Sequence, residues 1–232
     1  MAKKKLLQQT ARKLVTFTNP RSFVAEQFRT LRTNITFLSP DKDVRTMVVT
    51  SAVPSEGKST TSANLAVTFA QEGKKVILVD GDMRKPTTHY TFNIKNTTGL
   101  SNVLTKQSTA EKTIRSTVVD RLDVLTSGPI PPNPVELLSS KSMDVLIQQL
   151  TDMYDLVIFD APPVLSVTDG QIIANKCDGT ILVINSGHTE KDMAVKAKEA
   201  IESSNSRIIG AVLNNFEISK DNGYYQYYGH TE

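Results

Sequence analysis

Between about residue 45 and residue 214, short runs of successive apolar, mostly β-branched residues alternate with longer stretches whose apolar positions recur at helical spacing. The runs Met47 to Ser51, Val76 to Asp80, Leu156 to Asp160, Thr180 to Asn185 and Ile208 to Leu213 predict five strands. Each is apolar at consecutive rather than alternate positions, the pattern of a parallel sheet covered on both faces. Strands alternating with amphipathic segments predict an α/β fold, a three-layer α/β/α sandwich around a mainly parallel sheet. Before this body, Val24, Phe28, Leu31, Ile35 and Leu38 form one helical stripe within residues 21–38, which predicts a helix docked on it, with Glu26, Arg29 and Arg32 on the flank of the stripe. After the body, residues 217–232 are polar, punctuated by glycine and without a core-forming period, so a flexible tail is expected. The expected organisation is therefore a basic leader and docking helix (1–40), one domain (41–216) and a tail (217–232).

Composition changes this picture mainly through its unevenness. At 39% hydrophobic and 22% charged over 232 residues, the chain has the balance of a soluble globular domain. Its one cysteine, Cys177, excludes an internal disulfide framework and a cysteine-only metal cluster. No apolar stretch approaches the roughly 20 residues of a membrane span, and a cytoplasmic location is expected. The net charge of +3 is not spread evenly: Lys3, Lys4, Lys5, Arg12 and Lys13 stand without an acid in residues 1–13 and leave the remainder at −2. That excludes a basic nucleic-acid-binding body. Of six tyrosines, Tyr224, Tyr225, Tyr227 and Tyr228 crowd into five positions near the C-terminus.

The chemistry begins after the first strand. Ser51-Ala-Val-Pro-Ser-Glu-Gly-Lys-Ser-Thr60 leads into a helical pattern through Ala63, Leu65, Ala66, Phe69 and Ala70. Strand, glycine-containing loop and helix N-terminus together form a cradle of backbone N–H groups for phosphate. Pro54, Ser55, Glu56, Gly57, Lys58, Ser59 and Thr60 are the expected nucleotide-binding residues, with Lys58 on the β- and γ-phosphates and Ser59 on Mg²⁺. The first glycine of a strict Walker A motif is replaced by Ala52. Two further strands end in carboxylates, Asp80 (with Asp82 two residues on) and Asp160, at the edge where open α/β sheets bind ligands. A Walker B role on Mg²⁺ is expected for Asp160, a metal role for Asp82, and the base role for Asp80, although spacing does not separate the last two. Arg84 and Lys85 lie beside them as cations for transferred charge. Asn175-Lys-Cys-Asp178 has the spacing of a guanine-reading motif but precedes its strand instead of following it, so a GTPase is not indicated. Asn214 and Asn215, after the last strand, are better placed to meet a base. Asn133 and Pro134 are expected to cap and open a helix.

Several motifs in order, Glu26-x-x-Arg29-x-x-Arg32, the loop at 51–60, Val79-Asp-Gly-Asp-Met-Arg-Lys-Pro86, Gly128-Pro-Ile-Pro-Pro-Asn-Pro-Val-Glu-Leu-Leu138, Phe159-Asp-Ala-Pro-Pro163 and the tyrosine tail, give the chain its close resemblance to the bacterial tyrosine kinases of capsular and exopolysaccharide synthesis, in the form where the kinase is separate from its transmembrane activator. The resemblance implies a P-loop NTPase fold and a kinase using ATP and Mg²⁺, with Lys58, Asp80, Asp82 and Asp160 in catalysis. It implies the terminal tyrosines as acceptors and autophosphorylation in trans. It also implies a ring-shaped homo-oligomer contacting through Glu26, Arg29 and Arg32. The implied partners are the transmembrane activator, a polysaccharide co-polymerase that would hold the chain at the inner face of the membrane, and a cognate tyrosine phosphatase. The alternative is an ATPase switch of the partition or division-site type. Against it, the position of that group's signature lysine reads Ser51-Ala52-Val53-Pro54.

Overall fold

The computed structural model describes residues 13–38 and 44–217. In chain order the elements are α1 (Val15–Thr18), α2 (Phe23–Phe37), β1 (Thr46–Ser51), α3 (Lys58–Gln71), β2 (Val76–Asp80), α4 (Thr88–Thr91), α5 (Leu100–Leu104), α6 (Ala110–Thr113), β3 (Arg115–Ser116), β4 (Leu122–Leu125), α7 (Pro134–Ser139), α8 (Lys141–Met153), β5 (Leu156–Asp160), α9 (Asp169–Asn175), β6 (Gly179–Asn185), α10 (Lys191–Ser203) and β7 (Ile208–Asn214). The seven strands pair in the order β3-β4-β2-β5-β1-β6-β7. Only β3 runs antiparallel to its neighbour.

Consecutive apolar residues in β1 serve both faces. Met47 and Val49 join Leu65, Ala66 and Phe69 of α3 in one core, while Val48 joins Met143, Leu146 and Leu150 of α8 in the other. This is the three-layer architecture that the run pattern predicts. The helix expected over 21–38 is α2; Ser22 caps it by accepting from the Ala25 amide, and Ile35 buries into the α3-side core. α1 is fastened to α3 by the fully buried Asn64, whose carboxamide accepts from the Thr16 amide and hydroxyl and donates to the Lys13 and Thr60 carbonyls.

Three details depart from the expectations. β7 is an edge strand bonded to β6 on one side only, and its residues alternate between sheltered and exposed, with Leu213 on the surface. Its apolar run reads like a central strand, but as the last strand of the sheet it leaves Ala211 and Leu213 exposed. β4 and β3 were not among the five expected strands: β4 is four residues long and carries Asp123, whose charge breaks the run. Folding accommodates that carboxylate through a 2.7 Å bond from the Tyr154 hydroxyl. At α7, Pro134 takes the first helical position as expected, but the Asn133 side chain makes no cap bond.

Candidate active site

β1 stops at Ser51 and the chain turns tightly before α3 begins at Lys58. Gly57 takes φ +96°, a conformation that favours glycine, and a Cβ there would lie 2.0 Å from Asn214 Nδ2. Ser55 also has positive φ, at 69°. The loop is held from inside: the buried Glu56 carboxylate accepts from the Val53 amide at 2.8 Å and from the Thr189 hydroxyl, and its carbonyl accepts from Asn214 Nδ2 at 2.9 Å. Glu56 and Asn214 therefore brace the cradle, and neither side chain lines the cleft above it.

That cleft, about 540 Å³, lies between the loop (Pro54, Ser55, Gly57), the first turn of α3 (Lys58, Ser59, Thr60), the segment after β2 (Asp82, Arg84, Lys85, Thr87) and the segment after β5 (Pro162, Pro163, Ser166, Val167). Parallel strands deliver all four segments to one edge, because each strand's C-terminus points the same way. Lys58 Nζ sits 3.3 Å from Ser59 Oγ, 3.2 Å from Asp82 Oδ2 and 3.5 Å from Asp160 Oδ1. Asp82 Oδ1 accepts from the Lys85 amide. Asp80 stands opposite Asp160 in the β2–β5 ladder; its Oδ2 accepts from the Thr87 and Thr88 amides.

One lysine among three carboxylates leaves an excess of buried negative charge. Neither oxygen of the fully buried Asp160 has a hydrogen-bond partner, and Asp80 Oδ1 has none either. Burial pushes the Asp80 carboxyl up to about 7, with the neighbouring Asp160 charge adding to it and the Thr88 amide and Lys58 opposing. Burial works against the charged form of Lys58, yet Asp160, Asp82 and Asp80 together raise its pKa above the ordinary value. Orphaned carboxylate oxygens beside a hydroxyl are donors that suit a hard divalent cation. Among the described residues no three His, Cys, Asp or Glu side chains converge to hold a metal alone, so the cation would be shared with Ser59 and phosphate oxygens, as is usual for Mg²⁺.

Asp169, unremarked in the sequence, opens α9 and is fully buried. It binds Arg84 in a bidentate pair, Nε to Oδ2 at 2.9 Å and Nη2 to Oδ1 at 3.0 Å. An Asp opening a helix reads as ordinary first-turn charge, so nothing local singles it out. Thr189 was missed for the same reason. Asp178 of the guanine-motif lookalike lies at the opposite, amino edge of the sheet, where its Oδ2 accepts from the Arg45 and Thr46 amides and the Thr46 hydroxyl. Glu26 and Arg29 form an exposed i,i+3 pair at 2.6 Å. Arg32 turns inward, donating to the Thr68 carbonyl and approaching Glu72 at 3.5 Å. Tyr224, Tyr225, Tyr227 and Tyr228 lie outside the described residues, as does most of the basic leader. Among the described residues no helix is long and apolar enough to cross a membrane.

A phosphate loop between β1 and α3, a lysine at the first helical position and carboxylates on two neighbouring strand ends define a P-loop nucleotide-binding protein of the α/β class. Residues 45–209 match a family model described as an AAA domain, AAA_31. The chain is 53% identical over 218 residues to tyrosine-protein kinase YwqD of Bacillus subtilis (strain 168), covering 94% of this chain and 92% of that protein. It is 40% identical over 190 residues to tyrosine-protein kinase CpsD of Streptococcus agalactiae serotype III (strain NEM316), covering 82% and 81%. The crystal structure of the chimerical protein CapA2B2 superposes with a TM-score of 0.86 at 46% identity, over 90% of this chain and 93% of that one. The chain belongs to the bacterial tyrosine-protein kinases.

Proposed function

We propose that the protein transfers the γ-phosphoryl group of Mg²⁺-bound ATP to tyrosine hydroxyls, its first acceptors being Tyr224, Tyr225, Tyr227 and Tyr228 on the tail of a second copy, and that this controls capsular or exopolysaccharide polymerisation and export. The observation that carries the catalytic part is the group of buried carboxylates around Lys58, with the Asp160 oxygens unpartnered at the end of the phosphate cradle. Bound Mg²⁺ would neutralise the negative charge that builds up on the phosphates as the γ-phosphoryl group parts from ADP. Lys58 and the backbone amides of residues 55–60 hold the phosphates, while Ser59 and Asp160 are the residues that would hold the cation. Asp82 lines the cleft whereas Asp80 is wholly buried and bonded to the Thr87 and Thr88 amides. Burial thus supports Asp82 as the group facing the acceptor hydroxyl and Asp80 as the group behind it, whereas the sequence expectation gave the base role to Asp80 with nothing in the spacing to separate the two. Asn214 is next to the loop, which supports a nucleotide role for it through the cradle.

The tyrosines begin ten residues beyond Asn214, a stretch that spans at most ~33–36 Å, a length that supports an acceptor tail extending to a neighbouring copy. Four added phosphates, each about −1.5 to −2, would repel one another and the nucleotide and so favour release. A ring of copies meeting through the face of Glu26, Arg29 and Arg32, a transmembrane activator that holds the chain at the inner membrane face, and a tyrosine phosphatase that resets the tail complete the reading; the family resemblance supports these.

The test mixes a Lys58→Met chain with an intact tail and an active chain truncated after residue 217, with labelled ATP, Mg²⁺ and the activator's cytoplasmic segment. Label on the tail tyrosines of the Lys58→Met chain is expected. Absence of tyrosine label in both this mixture and the intact enzyme rejects the reading, and label only in the intact enzyme rejects transfer between copies.

A further inference from the structure

The pair between Arg84 and Asp169 is built with unusual economy. Asp169 is 0% exposed, and both of its oxygens are taken by Arg84, the one side chain bonded to them among the described residues. A buried carboxylate with a single partner is a poor investment in stability, because desolvation offsets most of the attraction. What a two-point pairing does supply is geometry: the planar guanidinium is held in one orientation, which a lysine or a singly bonded arginine is not. The arginine keeps 41% of its side-chain exposure, lines the cleft, and has Nη1 unbonded among the described residues.

The pair also bridges the two segments that flank the cleft opposite the phosphate loop. Arg84 follows Asp82 by two residues, and Asp169 opens the helix reached from Asp160 through Pro162 and Pro163. Lys58, held by Asp82 and Asp160, faces the same cleft from the phosphate-loop side. A phosphoryl group leaving the cradle would pass from a cation locked by one pair of acids to a cation locked by another acid. We infer that Asp169 is a positioning residue that fixes the Arg84 guanidinium on the acceptor side of the cleft, where its free Nη1 meets the phosphoryl group in transit. Preorganised donors act on charge that develops in the transition state and add little to ground-state binding. This inference rests on the ATP-dependent reading.

Asp169→Asn, Asp169→Glu, Arg84→Lys and the Asp169→Asn/Arg84→Lys double variant of the full chain test it. For Asp169→Asn and Arg84→Lys, kcat is expected to fall about 10- to 100-fold while KM for ATP stays within about twofold. By calorimetry with Mg²⁺, the affinity for ADP should be unchanged while that for ADP with aluminium fluoride, a transition-state mimic, falls. Asp169→Glu should recover part of both losses, and the double variant should be no worse than the weaker single. Should Asp169→Asn fail to fold, Arg84→Lys alters a partly exposed side chain and allows the same comparison. Unchanged kcat in folded variants, a lowered melting temperature alone, or equal losses for ADP and the mimic overturn the inference. Failure of the wild-type chain to bind ADP would instead overturn the ATP reading beneath it.

Discussion

At the amino edge of the sheet, Asp178 is exposed, yet one of its oxygens accepts from two backbone amides and a hydroxyl. At the carboxyl edge, Asp160 is fully buried and neither oxygen accepts a hydrogen bond. On solvation grounds alone the arrangement should be reversed, since burying an unpartnered charge is among the more expensive things a fold can do. Asp178 closes the start of β1 and serves the fold. Asp160 is left unfinished beside the phosphate loop, with Lys58 3.5 Å away as its charge partner, and the proposed cation site rests on that unfinished carboxylate. Partnering, more than position at a strand end, separates the acids that serve the fold from those to which the proposed function gives a role. Asp80 falls between them, with one oxygen satisfied and the other bare.

The contrast is broken most sharply by exchanging charge for an isostere at each edge. Asp160→Asn should lower kcat by about 10²- to 10³-fold, and Lys58→Met by at least as much. The melting temperature of the nucleotide-free Asp160→Asn chain should stay level or rise, because a buried charge beside Asp80 has been removed. A clear drop in thermal stability would show that Asp160 serves the fold. Asp178→Ala should do the opposite, costing about 2 kcal/mol in urea unfolding through two orphaned amides, with kcat of the folded fraction unchanged. A loss of kcat at Asp178→Ala without loss of stability would remove the distinction between the edges.

A smaller effect is expected at His89, half-buried on the helix behind Asp80, with Nδ1 buried and unbonded. Burial holds its pKa below the ordinary 6.5. The unfolded chain therefore binds a proton more readily, and the stability this group contributes is present above about pH 6.5 and lost as pH falls through the lowered folded value. His89→Gln should lose less melting temperature than wild type between pH 7.5 and pH 5; equal losses would count against it. The smallest change is predicted for Glu26→Gln, which breaks an exposed i,i+3 pair worth about 0.3–0.5 kcal/mol. If that variant nevertheless changes the assembly size measured by light scattering, the Glu26 and Arg29 face is an interface.

Much of this was legible along the chain because the signals are local. Consecutive β-branched residues need cover on both sides, so β1, β2, β5 and β6 could be drawn to within a residue or so of their observed bounds. The turn at Gly57 and the lysine after it announce a phosphate cradle wherever a strand precedes and a helix follows. β4 escaped because Asp123 looks like an interruption until Tyr154, thirty-one residues on, supplies its hydrogen bond. β7 looked central because apolar sequence does not record whether a strand lies on each side of it.

By itself, then, the sequence determined the layer architecture, the nucleotide loop and which aspartates stand at strand ends, since these follow from periodicity and from contacts between near neighbours. Only the tertiary structure decided how those groups are used. It turned Glu56 and Asn214 into braces, placed Asp82 in the cleft and Asp80 behind it, and folded Arg32 back onto Thr68 and Glu72. It also paired Arg84 with Asp169 across 85 residues. The physical reason is that solvation and hydrogen-bond partnering belong to positions in space, and parallel strands gather residues at one edge from far apart in the chain.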